Sequence, residues 1–160
     1  MKNIEISAKI QIFHESELNE SQKNVVEAAK KATFTSYAPY SNFHVGAAVL
    51  LENGVIVTGS NQENAAYPSG ICAERTTLFY ANSQYPDQPV RKLAIAAQCN
   101  GNFTDEVISP CGACRQVILE SEYRAKAPIE ILLVAGSEIW VFNGIEGLLP
   151  LGFNYNSLHQ

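Results

Sequence analysis

The stretch that decides the fold is Ile129-Glu130-Ile131-Leu132-Leu133-Val134-Ala135-Gly136-Ser137-Glu138-Ile139-Trp140-Val141-Phe142. Its two apolar runs, 129–134 and 139–142, are rich in β-branched residues and read as strands. Only Ala135-Gly136-Ser137-Glu138 lies between them. A parallel return needs a crossover of a dozen or more residues, so this connection permits only an antiparallel hairpin.

Upstream, Leu93-Ala94-Ile95-Ala96-Ala97-Gln98-Cys99 is a near-continuous apolar run, which fits a strand buried on both faces. Phe43–Leu51 and Val55–Gly59 flank Glu52-Asn53-Gly54, and Asn-Gly is a strong hairpin signal. Helical stretches fall between these strands. One runs from Cys72 to about Ala81; another, from Cys111 to about Ser121, follows Pro110, a residue suited to a helix start. Residues 101–109 read as a loop. Helices interleaved with strands predict an α/β layered domain.

Nearer the N-terminus, Asn19 opens a helix, with Gln22 completing a capping box. Val25, Ala29 and Ala32 form its buried stripe, and Lys30 and Lys31 favour its C-terminal end. It should finish near Tyr37, because Pro39 follows. Before it, residues 3–13 place Ile4, Ile6, Ala8, Ile10 and Ile12 on one face of a strand, or of two joined, at an edge where they cover apolar surface. The chain reads as a single domain over residues 1–160, with residues 1–16 as an N-terminal strand extension; this length suffices to bury a core.

Hydrophobic content of 46% and charged content of 17% are ordinary for a globular protein. With a net charge of -5 and no block of Lys or Arg, a polyanionic partner such as nucleic acid is not expected. No stretch is apolar enough to span a membrane, and polar residues interrupt the N-terminal run where a signal peptide needs a core. The expected location is cytoplasmic. A reducing compartment argues against pairing the four cysteines as disulfides. Cys99 reads as a small core residue. His14, His44 and His159 are scattered, none at ligand spacing to a cysteine, and read as non-metal residues.

Two further stretches read as one site: Cys72-Ala73-Glu74-Arg75 and Pro110-Cys111-Gly112-Ala113-Cys114-Arg115. Cys111 and Cys114 lie one helical turn apart and share a face. Thiolates suit zinc, and Cys72 is the third ligand available. Three protein ligands with an open position is the layout of a catalytic zinc rather than a structural one. Glu74 is placed to act as acid and base. Helix N-termini at the ligands would offset the negative charge of three thiolates. Arg115 reads as a solvated or interface charge. In Asn61-Gln62-Glu63-Asn64-Ala65-Ala66-Tyr67, Asn61 and Glu63 alternate and point the same way in an extended segment, an amide and a carboxylate suited to a sugar hydroxyl.

Together, CAER at 72–75, PCGACRQ at 110–116, NQENAAY at 61–67 and SNFHVGAA at 41–48 resemble the zinc-dependent cytidine deaminases, specifically the small homotetrameric three-cysteine kind. The resemblance covers about residues 20–153. It implies a three-layer α/β/α fold with a mixed five-stranded core sheet whose last two strands are antiparallel. The activity it implies is hydrolytic deamination of cytidine and 2′-deoxycytidine to uridine and 2′-deoxyuridine, with ammonia released, in pyrimidine salvage. Cys72, Cys111 and Cys114 then hold one Zn²⁺ per subunit, and Arg75 donates to the thiolates. Glu74 moves protons from the attacking water to N3 and to the departing amine. Phe43 flanks the pyrimidine, and Asn61 and Glu63 hold the ribose. Tyr67 reaches a neighbouring subunit's site. Phe153, in Leu148-Leu149-Pro150-Leu151-Gly152-Phe153, enters a neighbour's site and stacks on the base.

Two departures stand out. Pro68-Ser69-Gly70-Ile71 differs from the usual approach to the first cysteine, and Leu151 stands where a glycine or another residue is often found. Deaminases acting on nucleic acid bases generally place a helix between the last two strands, so the short 135–138 turn favours a free nucleoside. Two rival readings are a structural zinc knot with Cys99 or His44 as fourth ligand, and a blasticidin-type deaminase. The first leaves Glu74, Asn61 and Glu63 unexplained; the second lacks the NQENAAY stretch.

Overall fold

The computed structural model describes residues 1–158; His159 lies outside the described residues. Along the chain run β1 (Gln11–His14), α1 (Glu20–Ala32), β2 (Phe43–Leu51), β3 (Ile56–Ser60) and α2 (Ala73–Gln84). Then follow β4 (Val90–Cys99), β5 (Asn102–Phe103), α3 (Gly112–Ala125), β6 (Glu130–Ala135), β7 (Glu138–Asn143) and a last turn of helix, α4 (Tyr155–Leu158).

Alternation along the central strands sets the layers, because successive side chains point to opposite faces. Ala47, Val49, Leu51, Leu93, Ile95, Ile131 and Leu133 point one way, into a cluster closed by Ala73, Leu78 and Ala81 of α2 and Ile118 of α3. Ala48, Ala94, Ala96, Leu132 and Val134 point the other way, against Val25, Val26 and Ala29 of α1. The result is the expected three-layer α/β/α arrangement. α1 lies so close to β2 that a Cβ on Gly46 would overlap the Ala29 carbonyl and the Thr33 amide. Glycine is needed there for the approach of two backbones.

The sheet runs β1-β7-β6-β4-β2-β3, with β5 paired to β4. β4 and β6 are parallel and every other pair is antiparallel. The 135–138 connection forms the predicted hairpin: Ala135 faces Glu138, and Gly136 takes φ 57° in the two-residue turn. Among the described residues the sheet has seven strands: the five expected in the core, β1 from the expected N-terminal extension, and β5, within the stretch that reads as a loop. For β5 the signal was present: Asn100-Gly101, at φ 52° and 79°, turns β4 back on itself.

The N-terminal strand is shorter than residues 3–13. Only Gln11–His14 pairs, with β7. β7 ends at Asn143 and Gly144, at φ 98°, carries the chain away, so residues before Gln11 have little strand to pair with. The capping box of Asn19 and Gln22 forms as expected. α1 itself stops at Ala32 and passes into a tighter turn over Thr33–Thr35. α2 and α3 each run a few residues beyond their expected ends.

Candidate metal centre and adjoining cleft

α2 and α3 both start at one end of the sheet, and each is preceded by a cysteine. Cys72 occupies the N-cap of α2 and Cys111 that of α3; neither thiol caps the backbone, so both remain available. Cys114 lies one turn into α3. The three Sγ atoms lie within 4.8 Å of one another. Cys72 and Cys111 are 3.8 Å apart, and Cys111 and Cys114 3.4 Å. Tetrahedral zinc with Zn–S bonds of about 2.3 Å requires S···S spacings of about 3.8 Å, so this donor set fits the ion. All four cysteines are free thiols, as expected, and Cys99 is half-buried at the end of β4 rather than inside the core. Among the described residues, neither Cys99 nor His44 joins the cluster; His44 bonds Ser36 through Nδ1.

The groups around Cys72 favour its thiolate. Arg75 Nη2 donates to Cys72 Sγ at 3.6 Å. The Cys72 thiol is pulled down to about 5, chiefly by its hydrogen bond with Cys114, with Arg75 and Cys111 adding to this against the cost of burial. Cys114 is pushed up in turn, first by that hydrogen bond and then by burial. Glu74, in the first turn of α2, is only 5% exposed. Burial pushes its carboxyl above the usual range, and the neighbouring Cys72 charge adds to this. Both effects favour the protonated form of a carboxyl that must hold and give up a proton.

A cleft of about 450 Å³ brings Glu74, Cys72 and Cys111 together with Phe43, Asn61 and Glu63; Val45, Ile95 and Ile108 supply an apolar wall. That is the size and lining of a small-molecule site. Asn61 and Glu63 do share this cleft, as their alternation predicts, but each also holds backbone. Asn61 Oδ1 accepts from the Val45 amide at 2.8 Å, and Asn61 Nδ2 donates to the Phe43 carbonyl at 2.9 Å. Glu63 accepts from the Tyr40 amide at 2.9 Å, from the Ser41 amide at 3.3 Å and from Ser41 Oγ. These bonds, the Ser41 hydroxyl first, hold its carboxyl below the usual range.

Sequence reasoning passed over Ser41 as a site residue. It lines the cleft, clamps Glu63 and accepts from the Phe43 amide at 3.1 Å. The available signal was a serine two residues before an aromatic at a strand start, a local hydroxyl turn. Arg115 is not a solvated charge. It is half-buried and ties Pro110, Leu148 and Ser109 together through hydrogen bonds of 2.7, 2.6 and 3.0 Å.

Tyr67 and Phe153 stay outside the cleft that holds Glu74. Tyr67 is exposed, packs edge-to-face on Tyr40, and lines a neighbouring depression with Arg75 and Asn64. Phe153 is 58% exposed, with its carbonyl accepting from Gln116 Nε2 on α3 at 2.6 Å.

Known proteins resemble this chain in sequence and fold. The sequence model of the family described as the cytidine and deoxycytidylate deaminase zinc-binding region matches residues 19–127. A cytidine deaminase of Sporosarcina psychrophila is 46% identical over 98 residues, which span 61% of this chain and 68% of that protein. One of Halalkalibacterium halodurans is 43% identical over 96 residues, 60% of this chain and 68% of that protein. The crystal structure of a cytidine deaminase from Burkholderia pseudomallei matches with a TM-score of 0.69 at 38% identity, covering 82% of this chain and 98% of that one. With the fold, the thiol cluster and the sequence in agreement, the chain belongs to the cytidine and deoxycytidylate deaminases and is a hydrolase of the cytidine deaminase kind.

Proposed function

We propose that the chain catalyses zinc-dependent hydrolytic deamination of cytidine and 2′-deoxycytidine to uridine and 2′-deoxyuridine, releasing ammonia. The observation that carries this is the single cleft in which buried Glu74 lies beside Cys72 and Cys111 and opposite Asn61 and Glu63. Cys72, Cys111 and Cys114 would hold one zinc ion per subunit, which when bound supplies the Lewis acidity that makes water nucleophilic at neutral pH.

The remaining chemistry belongs to the chain. Glu74 takes a proton from the attacking water and delivers it to N3 of the pyrimidine, then carries the second proton to the departing amine. Its burial and raised pKa suit both directions of transfer. Phe43 packs beside the ring. Glu63, held as a carboxylate, accepts from a ribose hydroxyl; Asn61, with one amide hydrogen still unspent, donates to it. Arg75 bonds the Cys72 sulfur and offsets its charge.

Tyr67 and Phe153 act across subunits of a homotetramer with shared active sites. Their exposure outside the chain's own cleft supports this. Residues 1–160 form one domain. The acidic net charge and the β6–β7 hairpin support a free nucleoside over nucleic acid as substrate. No helix among the described residues is long and apolar enough to cross a membrane, and we place the enzyme in cytoplasmic pyrimidine salvage.

The test is cytidine turnover by the purified protein, followed by ultraviolet absorbance and ammonia release, with and without a chelator. Conversion should vanish with the metal and return with added zinc. A zinc-loaded, folded protein that leaves cytidine unchanged overturns the substrate. Full turnover in the chelated, metal-free protein overturns the cofactor.

A further inference from the structure

β1 is the last strand at its side of the sheet, and its outer edge has no strand partner among the described residues. The chain that leads into it, residues 1–10, has no strand pairing at all, yet it carries Ile4, Ile6 and Ile10 exposed to solvent. One flank of this segment rests on its own chain: Ser7, Ala8 and Lys9 line a cleft with Phe142, Gly144 and Gly147. An open edge with an alternating apolar face is a template for another strand.

The segment is complementary to itself. We propose that residues 3–11 pair antiparallel with the same residues of a second copy, about a two-fold axis at Ser7, in a two-stranded ribbon that leads at each end into β1. In this register Ile4 faces Ile10, Ile6 faces Ala8, and Asn3 faces Gln11, each twice. Glu5 faces Lys9, also twice, on the polar side. Moving the register two residues either way removes both ion pairs: one shift sets Lys9 opposite Ser7, the other sets Glu5 opposite Ser7. A slip of four sets Lys9 against Lys9 or Glu5 against Glu5, and a slip of one sets apolar residues against polar ones. Charge and apolar pattern therefore select one arrangement, and it is isologous, as a closed pair requires.

The test uses the full chain and reads mass, so it stands apart from the catalytic reading. In Ser7→Cys the two new thiols face each other across the axis, at a spacing of about 5 Å that a disulfide can bridge. Mild oxidation should give a covalent dimer on a non-reducing gel, well above the level from the unaltered chain. Asn3→Cys faces Gln11 instead and should give no such excess. Adding Glu5→Lys to Ser7→Cys should weaken pairing about fivefold, and adding Lys9→Glu to that should restore it. Equal linking from Ser7→Cys and Asn3→Cys overturns the register. No excess linking from Ser7→Cys, as when another protein or nothing occupies the edge, overturns the pairing.

Discussion

Cys72, Cys111 and Cys114 converge because two helices start at the same end of one sheet, each with a cysteine at its N-cap. Phe153 ends a segment that follows the last strand, lies on the outside of α3 and keeps more than half its surface exposed. Both regions are short motifs, but the first is positioned by packed helices and sheet, and the second by side-chain hydrogen bonds from Arg115 and Gln116 to its carbonyls and a ring stack of Tyr123 on Tyr155. Groups fixed by helices and strands can be complete within one chain. A group on a terminal segment is placed by whatever it docks against.

The strongest way to break this contrast is at the fixed end. Glu74→Gln keeps the shape of a buried side chain and removes its proton transfer. Turnover should fall by about a thousandfold or more while zinc stays bound in full. The measurement is kcat for cytidine beside metal content. Activity within tenfold of the parent would reduce Glu74 to a buried carboxyl at a helix start.

At the other end, Phe153→Ala should lower kcat/KM about tenfold, the loss expected when a base loses an aromatic stacking partner. A mixture sharpens the comparison. Subunits carrying Phe153→Ala keep Glu74, and subunits carrying Glu74→Gln keep Phe153. If the tail serves a neighbour, exchanging subunits between the two variants should give more turnover than the two measured apart. If it serves its own chain, no gain appears.

The same contrast governs what could be read from the sequence. The Asn19–Gln22 capping box, the Asn53-Gly54 and Gly136-Ser137 turns and the cysteine spacing are local, so each was legible. β1 depends on how far β7 extends, which its own alternation cannot tell, so the pattern predicts a longer strand than the one that pairs. Asn61 and Glu63 could be placed on one face by period two, but not their bonds to Val45 and Ser41, which join residues far apart in the chain. Arg115 reaches Leu148 across the fold, and no spacing announces that contact.

Ser41 joins the two regimes, since a turn residue fixes a cleft carboxylate. Its hydroxyl is the main reason the Glu63 carboxyl lies below the usual range. A lowered pKa extends the charged form to more acid pH, and losing the hydrogen bond must move the acid-side loss of charge upward. Ser41→Ala should therefore raise KM for cytidine by up to about threefold near pH 4, with less effect at pH 7.5, where the carboxylate is charged in either protein. A KM ratio that does not change with pH would mean Ser41 acts on the loop and not through Glu63.

The smallest expected effect lies in the tail itself. Leu151 takes φ 59°, in the left-handed region, and is 92% exposed, so it strains the backbone without gaining a packing partner. That conformation costs an L-residue about 1–2 kcal/mol, while glycine adopts it freely but gives up about 0.5–1 kcal/mol of chain entropy. Leu151→Gly should favour the docked tail by about 0.5 kcal/mol net. Hydrogen exchange at Ser157, whose amide bonds the Asn154 carbonyl at 2.9 Å, should slow about twofold. Slower exchange would show that the turn, and not only its contacts with α3, sets how firmly Phe153 is presented. Faster exchange would mean that Leu151 holds the turn in place, and that the tail is weaker without a side chain there.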